Sequence, residues 1–156
     1  MFNLFNDKPV VGKASTVIQK SEQHVFNFIG TGLLDNYPRW SPEVRELEKL
    51  TDGPLGLGTL CRQVRVDQGN RSESTFKIVS FEPHVHICFA GVSNPFRCDY
   101  LLQPVDPAAT QIMFTFELLS LELHMRPFEK LIRIAIQDGA ERTVRNIKRL
   151  IEADLL

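Results

Sequence analysis

The sequence predicts an α+β fold in which a curved antiparallel sheet wraps around one long C-terminal helix. From residue 127 to residue 156, apolar side chains recur every three or four positions and charged side chains occupy the opposite helical face. From residue 44 to residue 122, short alternating segments are separated by turn residues, which is typical of an antiparallel meander. A helix of this length needs a broad apolar surface to cover it, and the strands carry that surface. A curved sheet around one helix leaves a cavity, which favours binding of a small apolar ligand.

A first strand and two short helices are predicted ahead of the meander. The strand covers residues 10–20, and Ser21 is a suitable N-cap for a short helix that runs to about Ile29. A second short helix is predicted over residues 33–37. It should stop before Pro38, because proline lacks the backbone donor that a helix interior needs.

Pairing the predicted strands across their turns tests which side chains share a face. The predicted strands of the meander cover residues 44–50, 59–66, 71–82, 84–92, 95–103 and 109–122. Pairing sets Ile87 opposite Tyr100, Phe89 opposite Cys98, Tyr100 near Phe114, Cys98 near Phe116, Phe76 near Phe89 and Ile78 near Ile87.

The paired strands predict a sheet with one apolar and one polar face. The apolar face collects Phe76, Ile78, Ile87, Phe89, Phe96, Cys98, Tyr100, Leu102, Ile112, Phe114, Phe116 and Leu118. The polar face collects His84, His86, Cys88, Arg97, Asp99, Gln111, Thr115 and Glu117. The C-terminal helix is expected to cover the apolar face and to bury Ile132, Ala135, Ile136, Ile147 and Ile151.

Composition and charge narrow the class of protein. At 156 residues the chain is predicted to form a single domain, residues 1–156. With 18 basic and 19 acidic residues, it lacks the basic excess of a nucleic-acid-binding protein. Its 3 cysteines have no disulfide-framework spacing, so a reducing compartment is expected. Neither a signal peptide nor a membrane span is predicted, and the cytoplasm is the expected location.

Two short segments carry a resemblance to a known family. Residues 36–42 read Asn-Tyr-Pro-Arg-Trp-Ser-Pro, residues 44–47 read Val-Arg-Glu-Leu, and residues 56–59 read Gly-Leu-Gly-Thr. In the predicted element order these segments resemble the SRPBCC or START-like superfamily of polyketide cyclases/dehydrases and lipid-transport proteins, from about Ala14 to the end of the chain. The resemblance implies the helix-grip fold of the birch-pollen allergens. Members include hydrophobic-ligand carriers, aromatic polyketide cyclases, coenzyme-Q-binding proteins and ring-hydroxylase domains, so the fold alone assigns no activity.

Arg62 is the first candidate ligand-binding residue. It shares its strand phase with Leu60, Val64 and Val66, a phase that would direct its guanidinium into the cavity. A ligand carboxylate or enolate oxygen would be its partner there. The alternative is a shift of one residue at a bulge, which would leave Arg62 outside or place its charged head at the rim.

The other candidate ligand-binding residues are mostly aromatic. They are Trp40, Phe76, Ile87, Phe89, Tyr100, Phe114, Phe116 and Gly139. The Tyr100 hydroxyl either orients a ligand or, as is more common, belongs to a core residue and is bonded to backbone. Trp40 either closes one end of the cavity or packs structurally. Gly139 either gives a ligand room or marks a bend. In a helix interior, glycine lowers stability by about 1 kcal/mol relative to alanine.

A metal site is not expected. His84, His86 and Cys88 share one strand face, with Asp99 opposite Cys88. Side chains two positions apart on a strand lie well separated, and this face is the outer one, so the closed ligand set of a structural zinc is lacking. Neither a phosphate-binding glycine loop nor a hydrolase triad motif is recognisable in the sequence, and we expect no cofactor.

The sequence therefore favours a protein that binds a small hydrophobic or amphipathic ligand between sheet and helix. One alternative is a polyketide cyclase/aromatase-like enzyme that uses Arg62 and Tyr100 in the same cavity. A second is an interaction or accessory protein whose cavity is filled by its own phenylalanine side chains. Ligand identity, catalytic residues and oligomeric state are not assigned by the sequence.

Overall fold

The computed structural model describes residues 8–153 and confirms the predicted α+β helix-grip architecture. The strands are β1 (Val10–Ile18), β2 (Val44–Lys49), β3 (Leu60–Asp67), β4 (Asn70–Glu82), β5 (His86–Gly91), β6 (Phe96–Asp106) and β7 (Ala109–Leu118). The helices are α1 (Glu22–Phe26), α2 (Leu33–Trp40) and α3 (Glu129–Ala153), with a π-helical turn at Asn27–Thr31 and a 3₁₀ turn at Leu123–Phe128. Residues 154–156, the end of the predicted helix, lie outside the described residues.

The strands form one seven-stranded antiparallel sheet in the order β1-β7-β6-β5-β4-β3-β2. The predicted pairing across β5, β6 and β7 is confirmed. Ile87 lies opposite Tyr100 and Phe89 opposite Cys98. Tyr100 in turn pairs with Phe114, and Cys98 pairs with Phe116. Alternation within these strands therefore placed the side chains on the correct faces.

The hairpin of β4 and β5 differs from the predicted pairing. Ile78 lies opposite Phe89, Phe76 lies opposite Gly91, and a bulge separates Ile78 from Ser80. The predicted register of this hairpin is therefore wrong by two residues, although Phe76 does lie near Phe89, with 4.2 Å between the ring centroids. The cause is the turn, because β5 begins at His86 and not at residue 84 as predicted. The shift is an even number of residues, so Phe76 and Ile78 stay on the inner face.

Helix α2 runs through Pro38, where the sequence predicted its end. Ser21 caps α1 as predicted, accepting a hydrogen bond from the backbone N–H of His24. In α2, however, the backbone stays helical to Trp40, and Tyr37 and Trp40 are both buried. Their burial in the core outweighs the lost backbone bond at proline. The extra turn places Tyr37 and Trp40 on one helical face, since residues three apart are neighbours.

Helix α3 is fastened along the free edge of β1. The side chain of Gln137 acts as a substitute strand, since its Oε1 accepts from the backbone N–H of Lys13 and its Nε2 donates to the Lys13 carbonyl. Further along, the Lys148 ammonium donates to the carbonyl of Val17. An edge strand presents unpaired backbone groups, and α3 satisfies several of them here. No helix within residues 8–153 is long and apolar enough to cross a membrane.

The two halves of α3 pack differently. In the C-terminal half, Ile147 and Ile151 are fully buried, as predicted. In the N-terminal half, Ile132 and Ile136 are only half-buried and Ala135 is exposed, contrary to the prediction. The reason is that a cavity, and not a packed core, lies beneath this half, with all three residues in its wall.

Two truncations in α3 should differ in cost. Ile147→Ala removes a fully buried side chain and should lower the free energy of unfolding by about 2–5 kcal/mol. Ile132→Ala enlarges a space that already exists and should cost less than about 1 kcal/mol. Chemical denaturation of both variants measures the difference. Equal losses would mean that the N-terminal half of α3 is packed as tightly as the C-terminal half.

Candidate ligand-binding cavity

A cavity of about 480 Å³ lies between the inner face of the sheet and the N-terminal half of α3. Helix α2 closes one side with Tyr37 and Trp40, and exposed residues of β3, β4 and the β5–β6 turn stand at its mouth. Its wall consists of Tyr37, Trp40, Ser41, Glu43, Gln63, Arg65, Asp67, Ser72, Glu73, Ser74, Asn94, Phe96, Cys98, Tyr100, Phe114, Phe116, Ile132, Ala135, Ile136, Gly139, Ala140, Arg142 and Thr143. The wall is thus apolar on the β6, β7 and α3 sides and polar along β3.

Five of the predicted ligand-binding residues lie in this wall. They are Trp40, Tyr100, Phe114, Phe116 and Gly139. The Tyr100 ring packs against Phe114 with 4.8 Å between centroids and meets Trp40 edge-on at 5.8 Å. Gly139 leaves space on the helix, because a Cβ added there would meet nothing nearer than an Arg142 nitrogen at 4.0 Å.

Three of the predicted residues lie in the packed core instead. Phe76, Ile87 and Phe89 are fully buried on the inner face and are absent from the cavity wall. The Phe76 and Phe89 rings contact each other in a tilted arrangement with 4.2 Å between centroids, and the Tyr37 ring lies 5.5 Å from the Phe89 ring. Helix α2 therefore covers these phenylalanines, and the prediction that they line the cavity is wrong.

Arg62 points away from the cavity, so the predicted inward orientation is wrong. On the outer face of the sheet its guanidinium pairs at 2.8 Å with Glu73 of β4. Two glutamates of β2 complete the cluster, at 3.2 Å for Glu46 and 3.6 Å for Glu48. The pKa of Arg62 is raised, chiefly by the hydrogen bonds that it donates to Glu73 and Glu46. Arg62 is thus a member of a surface ion-pair cluster.

The inward residues of β3 belong to the opposite phase and are polar. Cys61 lies opposite the buried Phe76, so residues 61, 63 and 65 face inward. Gln63 is buried and Arg65 is three-quarters covered, with 27% of its side chain exposed. The sequence assignment took the apolar phase of Leu60 as inward. It missed Arg65 because only partners on distant segments make burial of these polar groups tolerable.

Arg65 is held from several sides within the cavity wall. Its Nε and Nη2 donate to the two carboxylate oxygens of Asp67, both at 3.1 Å. Its Nη1 donates to the Tyr37 hydroxyl at 3.2 Å and to the Ser41 hydroxyl at 3.4 Å. Burial alone would lower the pKa of Arg65, but Tyr37 and Asp67 outweigh it and raise that pKa. The guanidinium therefore keeps its charge, and Asp67 neutralises it.

A chain of side-chain hydrogen bonds continues from Arg65 along the polar wall. The Tyr37 hydroxyl donates to Gln63 Oε1 at 3.1 Å, and Gln63 Nε2 donates to the Ser74 hydroxyl at 3.3 Å. Burial, together with nearby Cys98, raises the pKa of Tyr37, so its hydroxyl keeps the proton that it donates. The polar groups of this chain are therefore satisfied within the protein.

The Tyr100 hydroxyl and the Trp40 indole N–H form a second polar group in the wall, and their hydrogen-bonding capacity is not satisfied. Both residues are 1% exposed, and the Trp40 Nε1 has no hydrogen-bond partner among residues 8–153. The indole N–H lies beside the Tyr100 hydroxyl but does not reach hydrogen-bond geometry with it. Burial first, then Cys98 and Tyr37, raise the pKa of Tyr100, so its hydroxyl stays protonated.

The residues considered for a metal do not converge. His86 Nε2 lies 2.9 Å from Asp99 Oδ2, and its Nδ1 lies 2.7 Å from the Ser80 hydroxyl. His84 sits in the β4–β5 turn and meets the ring of Phe26 edge-on at 6.2 Å. Within residues 8–153 no group of three or more potential metal-ligating side chains is found. The absence of a bound metal remains a prediction.

The two tyrosines of the cavity should respond differently to loss of the hydroxyl. Tyr37→Phe removes the donor to Gln63 Oε1 and one of the acceptors of Arg65, and should cost about 1–3 kcal/mol of unfolding free energy. Tyr100→Phe removes a hydroxyl that lies beside the Trp40 indole N–H without forming a hydrogen bond to it, and should cost less than about 0.5 kcal/mol. Urea denaturation compares them. A cost at Tyr100 equal to that at Tyr37 would contradict this account of the cavity.

Comparison with known proteins places this geometry in context. The chain resembles the Zhui aromatase/cyclase from a Streptomyces species, with a TM-score of 0.79, 11% identity and coverage of 95% of this chain and 96% of that one. It also resembles norcoclaurine synthase from Thalictrum flavum, solved with dopamine and hydroxybenzaldehyde, with a TM-score of 0.71, 15% identity and coverage of 97% and 91%. A protein of unknown function from Staphylococcus aureus gives a TM-score of 0.75, 15% identity and coverage of 96% and 98%.

At such identities the likeness to solved structures shows the fold alone, and no curated protein sequence matches the chain. The family comparison goes further. The family model described as polyketide cyclase / dehydrase and lipid transport matches residues 11–152. That stretch extends from β1 into α3, and the chain belongs to the polyketide cyclase/dehydrase and lipid-transport family.

Proposed function

We propose that the protein binds a small, largely apolar molecule in the cavity between the sheet and α3. The observation that carries the proposal is the 480 Å³ space itself, which lies within the size range of small-molecule sites. The interaction-protein alternative required this space to be filled by phenylalanine side chains. Phe76 and Phe89 instead lie behind Tyr37, so they leave the space open.

The walls supply the affinity and the polar groups supply the selectivity. Tyr100, Phe114, Phe116 and Ile136 offer aromatic and aliphatic surface to an apolar body. Burial of such surface contributes roughly 25 cal/mol per Å² before the costs of association. A few fixed polar groups among apolar walls are typical of sites that orient one kind of ligand.

Filling the cavity from α3 tests the proposal. Gly139→Phe should place a ring in the open space and reduce the affinity for 2-ethylanthracene, a neutral fluorescent probe, at least tenfold. The helix should remain folded, because phenylalanine is a better helix former than glycine. Fluorescence titration measures binding, and circular dichroism measures folding.

Gly139→Ala is the matched control. It adds one methyl group in open space, should keep binding within about threefold, and should stabilise the helix by up to about 1 kcal/mol. A folded Gly139→Phe protein that binds the probe as well as the unmodified protein would place the ligand elsewhere. Absence of binding by the unmodified protein would refute the proposed function.

A polyketide-cyclase activity is the second candidate, and one observation favours it. Arg65 keeps a positive charge in the cavity wall beside the protonated Tyr37 hydroxyl. A fixed guanidinium stabilises the enolate oxygen that develops when a poly-β-ketone closes a ring by aldol addition. The family and the fold shared with the Zhui aromatase/cyclase are consistent with this chemistry.

Arg65→Met tests the second candidate. If the protein is a cyclase, Arg65→Met should lower the rate of cyclisation of a linear poly-β-ketone at least tenfold, with the aromatic product measured by chromatography. Arg62→Met, on the outer face of the same strand, is the control and should leave the rate unchanged. A rate equal to that without protein would remove the cyclase candidate and leave ligand binding standing.

A further inference from the structure

The Tyr100 hydroxyl belongs to a buried residue of the cavity wall and has no acceptor among residues 8–153. Tyr100 is only 1% exposed, and it belongs to the cavity wall. Its ring is fixed on two sides, by Phe114 at 4.8 Å and by Trp40 at 5.8 Å. The hydroxyl therefore has a defined position but no hydrogen-bonded partner among residues 8–153. A buried polar group without a partner costs stability unless something else satisfies it.

The Trp40 indole N–H is a second donor that lacks an acceptor within residues 8–153. An indole nitrogen only donates, and this one is buried and unpartnered within the described part of the chain. The group beside it is the Tyr100 hydroxyl, whose oxygen has lone pairs. If the Tyr100 O–H donated to a ligand, the Tyr100 oxygen would become a better acceptor for Trp40, because bonds in a chain polarise one another. One acceptor atom on a ligand would thus satisfy both groups.

The same surroundings disfavour an anionic ligand. Burial raises the pKa values of three residues in the wall, Tyr37, Cys98 and Tyr100, which means that negative charge is unfavourable there. Asp67 already neutralises Arg65 through two hydrogen bonds. The charged residues of the wall are two arginines, Arg65 and Arg142, and three acids, Glu43, Asp67 and Glu73. A ligand carboxylate would therefore enter a wall with no excess positive charge.

We propose that Tyr100 and Trp40 form a donor subsite for the neutral acceptor oxygen, a carbonyl or ether, of an otherwise apolar ligand. The subsite rests on the proposed binding function and narrows its ligand class. The chain of Arg65, Tyr37 and Gln63 takes no part in it, because its polar groups are bonded to one another and to Asp67, Ser41 and Ser74. The selectivity is for an uncharged ketone-like ligand over both the corresponding hydrocarbon and the corresponding carboxylate.

Three matched probes test the subsite with the unmodified protein. They are 2-acetylanthracene, 2-ethylanthracene and anthracene-2-carboxylate, which share one aromatic body and differ in the substituent. We expect the ketone to bind about three- to tenfold more tightly than the hydrocarbon, the range of one net neutral hydrogen bond. The carboxylate should bind more weakly than the ketone. Fluorescence titration at constant ionic strength gives the three dissociation constants.

A variant then assigns the preference to Tyr100. Tyr100→Phe should weaken the ketone about three- to tenfold and leave the hydrocarbon unchanged, since only the hydroxyl is lost. Thr115→Val is the matched control, because it removes a hydroxyl on the outer face of β7 between Phe114 and Phe116, and it should preserve the ketone preference.

The outcomes separate this subsite from the proposed function. Equal binding of ketone and hydrocarbon, or equal loss of both in Tyr100→Phe, would overturn the subsite while binding in the cavity stands. Tighter binding of the carboxylate than of the ketone would overturn the neutral ligand class. Binding of none of the three probes would overturn the proposed function and the subsite together.

Discussion

The position of α3 against the edge of β1 is the constraint on which the rest of the structure depends. Gly12 permits it, because a Cβ at that position would lie 2.6 Å from the carbonyl oxygen of Ile136. Side chains of α3 then bond to the exposed backbone of β1 and of the residue after it: Gln137 bonds to Lys13, and Glu152 accepts from the Gln19 N–H. The helix is thereby fixed at one edge of a curved sheet and cannot settle into the centre of its concave face.

The cavity follows from that position. Towards its C-terminal end α3 packs Ile147 and Ile151 into the core, and towards its N-terminal end it spans an open space. Helix α2 sets the other limit, because the Tyr37 ring covers the Phe76 and Phe89 pair. Asn146 joins the two helices by donating to the Trp40 carbonyl. The space is therefore bounded by rigid elements, and a site on such elements holds its groups in place.

The electrostatics of the wall decide what kind of molecule suits this space. Arg65, the charged group deepest in the polar wall, is bonded to Asp67, Tyr37 and Ser41, so it contributes a fixed dipole more than a free charge. Membership of the polyketide cyclase/dehydrase and lipid-transport family admits carriers and enzymes alike. Within that range, the satisfied polar groups around Arg65 and the unsatisfied donors of Tyr100 and Trp40 favour recognition of an uncharged oxygen.

Local pattern determined the long helix, the antiparallel meander and the facing of β5, β6 and β7, because alternation and helical periodicity report where apolar side chains are buried. It placed Tyr100, Phe114 and Phe116 correctly and identified Trp40 and Gly139 as cavity residues. These residues are aromatic or glycine, and their place on a strand or helix face follows from the local sequence without knowledge of any distant contact.

Tertiary structure alone decided the phase of β3, the length of α2 and the boundary between core and cavity. The apolar residues of β3 predicted Arg62 inside, but Gln63 and Arg65 face inward because Tyr37, Ser74 and Asp67 bond to them. Helix α2 passes Pro38 because Trp40 gains burial beyond it. Burial of a polar group and continuation of a helix past proline are both unfavourable locally. Each is offset by contacts between segments distant in sequence, and a local pattern carries no information about those contacts.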